Sequence, residues 1–341
     1  MSVVLVTGGA GYVGSHAAYE LAEAGHDVVI YDDLSAGHLA AVDRLRQTFP
    51  GGRVTFVRGD VADGAAVLRA LRESRASAVM HFAARLLVAE SVAQPLVYYR
   101  ANVTGTLTLL SAMAEAGVTR FVFSSTCATF GEPVAVPIDE THPQRPVNAY
   151  GETKLAVERA LPHVERATGM RWVALRYFNA AGAHASGVIG EDHAPEAHLI
   201  PRAIAAARGA ESLAVFGDDY PTPDGTCIRD YVHVTDLARA HVAALGRLDA
   251  GGASAAYNLG SGQGASVRQV IDCVSRVTGR EVAFTVEPRR DGDPAALVAS
   301  SALAREALQW TPRFESLEAI VQTAWVWHER HPFGYRTPGS A

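Results

Sequence analysis

From its first residues to about residue 180 the chain alternates short apolar runs with stretches of helical periodicity. Val3-Val4-Leu5-Val6 is β-branched and apolar at every position, the pattern of a parallel strand buried on both faces. Asp27-Val28-Val29-Ile30-Tyr31, Arg53-Val54-Thr55-Phe56-Val57, Ala78-Val79-Met80-His81-Phe82, Arg120-Phe121-Val122-Phe123 and Trp172-Val173-Ala174-Leu175-Arg176 repeat it. Helical periodicity runs through Ser15 to Ala24, Pro95 to Ala116 and Ala149 to Ala167, the last two with broad apolar faces suited to core or subunit packing. Strands alternating with helices predict an α/β fold with a doubly wound parallel sheet of Rossmann type. After residue 180 the texture loosens, with Gly, Pro and Asp clusters at 183–195 and 217–225, which predicts a smaller, loop-rich lobe over 181–341. Asp230-Tyr231-Val232-His233-Val234 and Tyr257-Asn258-Leu259 alternate again, so a segment near 230–262 is expected to return to the main sheet of domain 1–180. Thr337 to Ala341 reads as a frayed tail.

The residues just past these strands are more specific. Gly8-Gly9-Ala10-Gly11-Tyr12-Val13-Gly14 comes directly after the first one and opens the first helix. Gly8 suits a tight turn, Gly11 lets backbone approach a pyrophosphate, and Gly14 lets the helix pack closely with its N–H groups toward the phosphates. The second strand ends in Asp32, near the spacing at which a carboxylate accepts from adenosine ribose hydroxyls and repels a 2′-phosphate, which favours NAD over NADP. Ligands bind at strand ends in such sheets, so Asp60, Val61, Phe82, Ala83, Ala84, Thr126 and Asn179 are expected to line one crevice. In Tyr150-Gly151-Glu152-Thr153-Lys154 a phenol and an ammonium share one helix face. A nearby cation favours phenolate over an ordinary pKa of about 10, giving a base for an alcohol proton.

Bulk properties mainly exclude. The 341 residues are 48% hydrophobic, enough for a large core, and a formal net charge of −6 argues against a general nucleic-acid or anionic-membrane surface. Cys127, Cys227 and Cys273 are too dispersed for a disulfide framework. No signal-peptide pattern or membrane-length apolar run is visible, so a cytoplasmic location is expected. His193 and His198 lie in a Pro-containing segment without a clear third ligand, so no metal is expected.

These segments, with Ser124-Ser125-Thr126, Leu175-Arg176-Tyr177-Phe178-Asn179, Thr226-Cys227-Ile228-Arg229-Asp230-Tyr231-Val232-His233-Val234 and Arg289-Arg290-Asp291-Gly292-Asp293, resemble the extended short-chain dehydrogenase/reductase family along nearly the whole chain, and within it the UDP-glucose 4-epimerases. The resemblance implies a homodimer that interconverts UDP-glucose and UDP-galactose through a 4-keto sugar on tightly held NAD. It implies Tyr150 as base, Lys154 as its support and nicotinamide-ribose ligand, and Thr126 as the hydrogen-bond partner of the sugar 4-oxygen. Cofactor contacts would add Tyr12, Val13, Asp33, Arg85, Asn102, Ser124 and Phe178. The nucleotide sugar would meet Asn179, His198, Leu199, Phe216, Arg229, Arg290, Asp293 and Leu297, the last walling the sugar pocket. The chain departs from the pattern at Thr126 (often Ser), His198 (commonly Asn), Arg85 and Ala89 (usually Lys and Gly), and Ala101 (Asn). A 4,6-dehydratase would need an acid where Cys127 stands. The same pattern leaves room for 4-epimerases of pentose, uronic-acid or N-acetylhexosamine nucleotides. It also admits a non-catalytic NAD sensor, which would be free to lose the Thr126, Tyr150 and Lys154 set retained here.

Overall fold

The computed structural model describes residues 2–290 and 292–336; the tail from Thr337 and Asp291 of the late arginine segment lie outside the described residues. Strands follow in the order β1 (Val3–Thr7), β2 (Asp27–Asp32), β3 (Val54–Arg58), β4 (Ala78–His81), β5 (Arg120–Thr126), β6 (Arg171–Tyr177), β7 (Asn179–Ala181), β8 (Leu213–Phe216), β9 (Ile228–His233), β10 (Ala255–Leu259), β11 (Gly264–Ser266), β12 (Phe284–Glu287) and β13 (Ala296–Leu297). Seven of them build one parallel sheet in the order β10-β6-β5-β4-β1-β2-β3. The continuous apolar runs are explained by burial on both faces. Val4 and Val6 pack under one helix layer (12–23, 39–48, 234–249), and Leu5 under the other (64–74, 105–116, 149–168).

The strand order reverses between β1 and β4, which opens a crevice at their carboxyl ends. The glycine loop after β1 and the Phe82-Ala83 turn after β4 meet there: Gly8 has φ +70°, and a Cβ on it would lie 2.4 Å from the Ala83 nitrogen. No larger residue fits that closure.

The second lobe is a small sheet, β11-β9-β13 with β7 beside β9, and a β8–β12 pair, packed with helices Leu199–Ala207, Val267–Thr278 and Leu317–Arg330. The 230–262 segment divides between the two sheets. β10 takes the edge of the main sheet beside β6, and helix Val234–Asp249 packs in the same layer as Tyr12–Glu23, but β9 stays in the smaller sheet. The reason is its partner: Asn179, Ala180 and Ala181, just past β6, pair with Tyr231, Val232 and His233.

The Pro95–Ala116 helix is interrupted by a π-helical turn at Tyr99–Thr104, a rare feature that is frequent at functional sites. Helix Ala149–Thr168 begins where Asn148 accepts from the Gly151 N–H at 2.9 Å and ends at Gly169, φ +75°. On its inner face Glu158 forms a buried ion pair with Arg176 (2.6 Å), tying helix to β6. No helix among the described residues is long and apolar enough to cross a membrane.

Candidate active site

The crevice after β1 is built for an anion. Helix Tyr12–Glu23 starts from Gly11 with no side-chain cap, so the N–H groups of Tyr12, Val13 and Gly14 have no intrahelical acceptor and carry the helix's positive end. A Cβ on Gly14 would sit 2.2 Å from the Gly8 carbonyl oxygen. Asp32, ending β2, is buried, and its carboxylate accepts from Ala10 N (3.0 Å) and Leu34 N (2.8 Å). Burial pushes its pKa up, while those two N–H groups oppose the shift. Asp33 is exposed and holds Ser35; Asp60 accepts from Ala62 N at 2.8 Å; Val61 packs beneath Gly105. Tyr12 is inside rather than at the mouth, its hydroxyl donating to Gly182 O at 2.6 Å, which leaves its backbone for a ligand. This glycine cradle, free amide set and strand-end carboxylate fit a dinucleotide.

Across the crevice, Phe82, Ala83, Ala84 and Arg85 form the loop after β4. Arg85 turns its guanidinium to Glu90 (3.0 Å), while its backbone N–H and C=O are both engaged by the Asn102 amide at 2.8 and 3.0 Å. Asn102 also donates to Thr153 Oγ1 at 3.0 Å. The π-helical turn thereby places one buried amide between the strand-end loop and the helix that carries Tyr150 and Lys154.

Tyr150 lies beside the Thr126 hydroxyl at the end of β5, which itself accepts from the Ala128 N–H at 3.1 Å. The cation effect expected from spacing is not what the protein groups alone produce. Burial pushes the phenol well above its ordinary range, Tyr177 adds to the rise, and only Thr126 opposes it. Lys154 donates to the Ser124 carbonyl at 2.8 Å and lies 4.9 Å from the Phe123 ring centre. Burial lowers its amine to about 7, against a partial restoring effect of Glu158. Ser124 also bonds Tyr177 at 2.7 Å through its hydroxyl.

A second cleft opens in the smaller lobe, lined by Asn179, His198, Leu199, Phe216, Arg229, Arg290 and Asp293, all named from sequence. Arg229 pairs with Asp293, not with neighbouring Asp230, whose buried carboxylate is taken by Ser261 N (2.7 Å), Ala299 N (3.0 Å) and Gly262 N (3.1 Å). Of the adjacent arginines, Arg290 lines the cleft, 3.7 Å above the Phe216 ring, while Arg289 turns away to Asp219. Leu297 lies outside this lining, half-buried with Cys127 against Phe130, Ile138, Phe178 and Ala299. Cys127 packs there, its thiol pushed up to about 12 by burial.

Sequence reasoning missed Glu191, Cys227 and Tyr231 in the cleft wall. It also found no third partner for His193 and His198. Glu191 and Glu196 both lie beside them, from a segment with no periodicity to reveal its fold.

A model of the NAD dependent epimerase/dehydratase family matches residues 4–260. The chain belongs to that family. It is 50% identical to the UDP-glucose 4-epimerase of Halalkalibacterium halodurans over 98% of both chains. The crystal structure of UDP-glucose 4-epimerase from Brucella ovis in complex with NAD is similar at TM-score 0.90 and 48% identity, over 95% of this chain and 98% of that one. The Bifidobacterium longum UDP-glucose 4-epimerase in complex with NAD+ and UDP gives TM-score 0.92 and 38% identity, over 98% and 100%.

Proposed function

We propose that this chain interconverts UDP-glucose and UDP-galactose by epimerisation at C4, with NAD as its resident cofactor and without net oxidation. The observation that carries the reading is the grouping of Tyr150 beside Thr126 with Lys154 held on the Ser124 carbonyl, set between a glycine-loop crevice and an arginine-lined cleft. When bound, NAD supplies the reversible hydride acceptor for C4.

The chain's own residues do the rest. Tyr150 takes the proton of the sugar 4-hydroxyl and later returns it, while Thr126 holds the 4-oxygen in place. Lys154 binds the nicotinamide ribose and supports the phenolate against the burial that otherwise disfavours it. Gly8, Gly11 and Gly14 admit the pyrophosphate to the amides of Tyr12, Val13 and Gly14, and Asp32 accepts from the adenosine ribose. Asp33, Asp60, Val61, Phe82, Ala83, Ala84, Arg85, Ser124 and Phe178 complete the cofactor wall. Asn102 acts by fixing the loop and the Tyr150 helix to each other.

On the substrate side, Arg229 and Arg290 suit a diphosphate because a guanidinium makes paired charge-assisted bonds, and the uncapped start of helix Leu199–Ala207 beside His198 adds backbone donors. Asn179, Phe216 and Asp293 are left for the uridine, and Leu297 limits the sugar. A dehydratase reading is disfavoured by Cys127, a packed thiol where an acid would be required.

The test is to purify the protein without added cofactor, record its nicotinamide absorbance, and incubate it with UDP- and dTDP-sugars, resolving 4-epimers by chromatography. Bound NAD with UDP-galactose formed from UDP-glucose is the expected result. Turnover of only another sugar would replace the substrate, and no epimer from any sugar would sink the reading.

A further inference from the structure

Between β7 and the helix at Leu199 the chain runs from residue 182 to 198 without regular strand or helix. Irregular segments this long in a compact protein are uncommon and are held by something other than a backbone ladder. Part of the hold is visible: Trp327 Nε1 donates to Glu191 O at 2.9 Å, and the Tyr335 N–H donates to Asp192 at 2.8 Å. The other part is a convergence of side chains. Glu191, 3% exposed, presents Oε1 to Nδ1 of both His193 (3.2 Å) and His198, and Glu196 Oε1 faces His193 Nδ1 at 3.6 Å. One donor atom from each of these four residues lies within 4.8 Å of all the others. The two imidazole rings stand 5.2 Å apart and nearly perpendicular, at 89°, and the edge of Tyr12 closes one side of His193.

We propose that Glu191, His193, Glu196 and His198 form a closed structural site for a divalent first-row cation of the zinc class, which clamps this segment to the start of the Leu199–Ala207 helix at the edge of the cleft. Two imidazole nitrogens and two carboxylate oxygens are the borderline ligands zinc takes, and four protein donors are what a structural rather than catalytic site presents. Bonds of about 2.1 Å in a tetrahedron put donors about 3.4 Å apart, so the contacts around His193 already have the required scale. Two carboxylates balance a 2+ ion with both imidazoles neutral. The site shares Glu191 and His198 with the wall of the substrate cleft but is separate from the reacting pair: Lys154 donates to the Ser124 carbonyl, and no hydrogen bond links Tyr150 or Lys154 to these four residues.

The experiment uses the full chain, purified without a metal-affinity tag, and measures bound zinc by mass spectrometry and by competition with a chromophoric chelator. His193→Ala and Glu196→Gln are compared with wild type, and bound NAD and circular dichroism report folding. We expect one tight zinc per wild-type chain. In each variant its affinity should fall by at least the roughly 10- to 100-fold that loss of even an outer-shell partner costs. Thermal stability should rise with zinc in wild type only. Glu196→Gln keeps a neutral amide of the same shape, so it remains informative if His193→Ala does not fold. A wild type with no saturable zinc, a hydrogen-bonded cluster only, overturns the proposal, and so does zinc binding unchanged in both variants.

Discussion

Tyr150 and Lys154 share a helix face, yet burial drives them in opposite directions, the phenol up and the amine down to about 7. Tyr150→Phe keeps the ring and loses the base, so NAD and UDP-sugar binding should persist while turnover falls on the order of a thousandfold. Rates within tenfold of wild type would contradict the assignment. Lys154 has a consequence for stability as well. Its pKa is 10.5 in an exposed chain and about 7 here, so between those values the unfolded state binds a proton that the folded state lacks. Stability from this group therefore rises as pH climbs above about 7 and is lost as pH falls through that value. Denaturant titrations of NAD-stripped protein between pH 7 and 9 should show this rise, and Lys154→Met should flatten it; equal slopes would refute the burial argument. Leu297 tests specificity. It packs beside Cys127 and Phe178, and also against Phe130 and Ile138. Hydrophobic walls discriminate by about 1–3 kcal/mol, so Leu297→Ala should raise kcat/KM on UDP-N-acetylglucosamine relative to UDP-glucose by roughly ten- to a hundredfold. If Leu297 only packs, stability drops and the ratio of the two kcat/KM values stays fixed.

The elements differ in how plainly the sequence announces them. β1, β2, β4, β5 and β6 were legible because burial on both faces leaves largely apolar runs, edge strand β3 because Val54, Phe56 and Val57 mark it although most of it is exposed, and the glycine loop because Gly8 and Gly14 answer steric demands. β12 was not, since all four of its residues are exposed and no pattern marks them. β13 has two residues, and the π-helical turn leaves helical periodicity nearly intact, so Asn102 could be named by resemblance but its tie to Arg85 and Thr153 could not. The Arg229 partner was equally hidden: alternation along β9 sends neighbouring Asp230 to the opposite face, and Asp293, far along the chain, meets Arg229 instead. The glycine loop is the element most sensitive to a single methyl. In Gly14→Ala the new carbon would lie 2.2 Å from Gly8 O, against backbone that β1 holds fixed. Cofactor affinity should fall by more than about tenfold, or about 1.4 kcal/mol, with circular dichroism unchanged. Full retention of NAD absorbance would show that the loop tolerates the shift.

At the scale of the whole molecule, the two lobes meet where β6 runs on into β7, and the proposed reacting groups lie at that junction. Outside both cores lies an apolar ridge along 88–116: Leu96 is 76% exposed, Val92 67%, Tyr99 41% and Leu107 40%. Side chains of that size scattered singly would need no explanation, but these lie on consecutive helical segments beside the helix Ala149–Thr168. A two-fold pairing of this surface is the simplest way to bury it, since the same patch then faces itself. It would also couple the dimer to the reaction, because the helix bearing Tyr150 and Lys154 lies directly behind the ridge. We therefore expect a dimer at micromolar concentration by sedimentation. Leu96→Glu sets two like charges against each other across the axis and should weaken association by at least about a hundredfold, or about 2.7 kcal/mol. Turnover should fall alongside dimer content if pairing holds the catalytic helix in place. A wild type that sediments only as monomer would remove the interface, and a Leu96→Glu protein that remains dimeric would move it elsewhere.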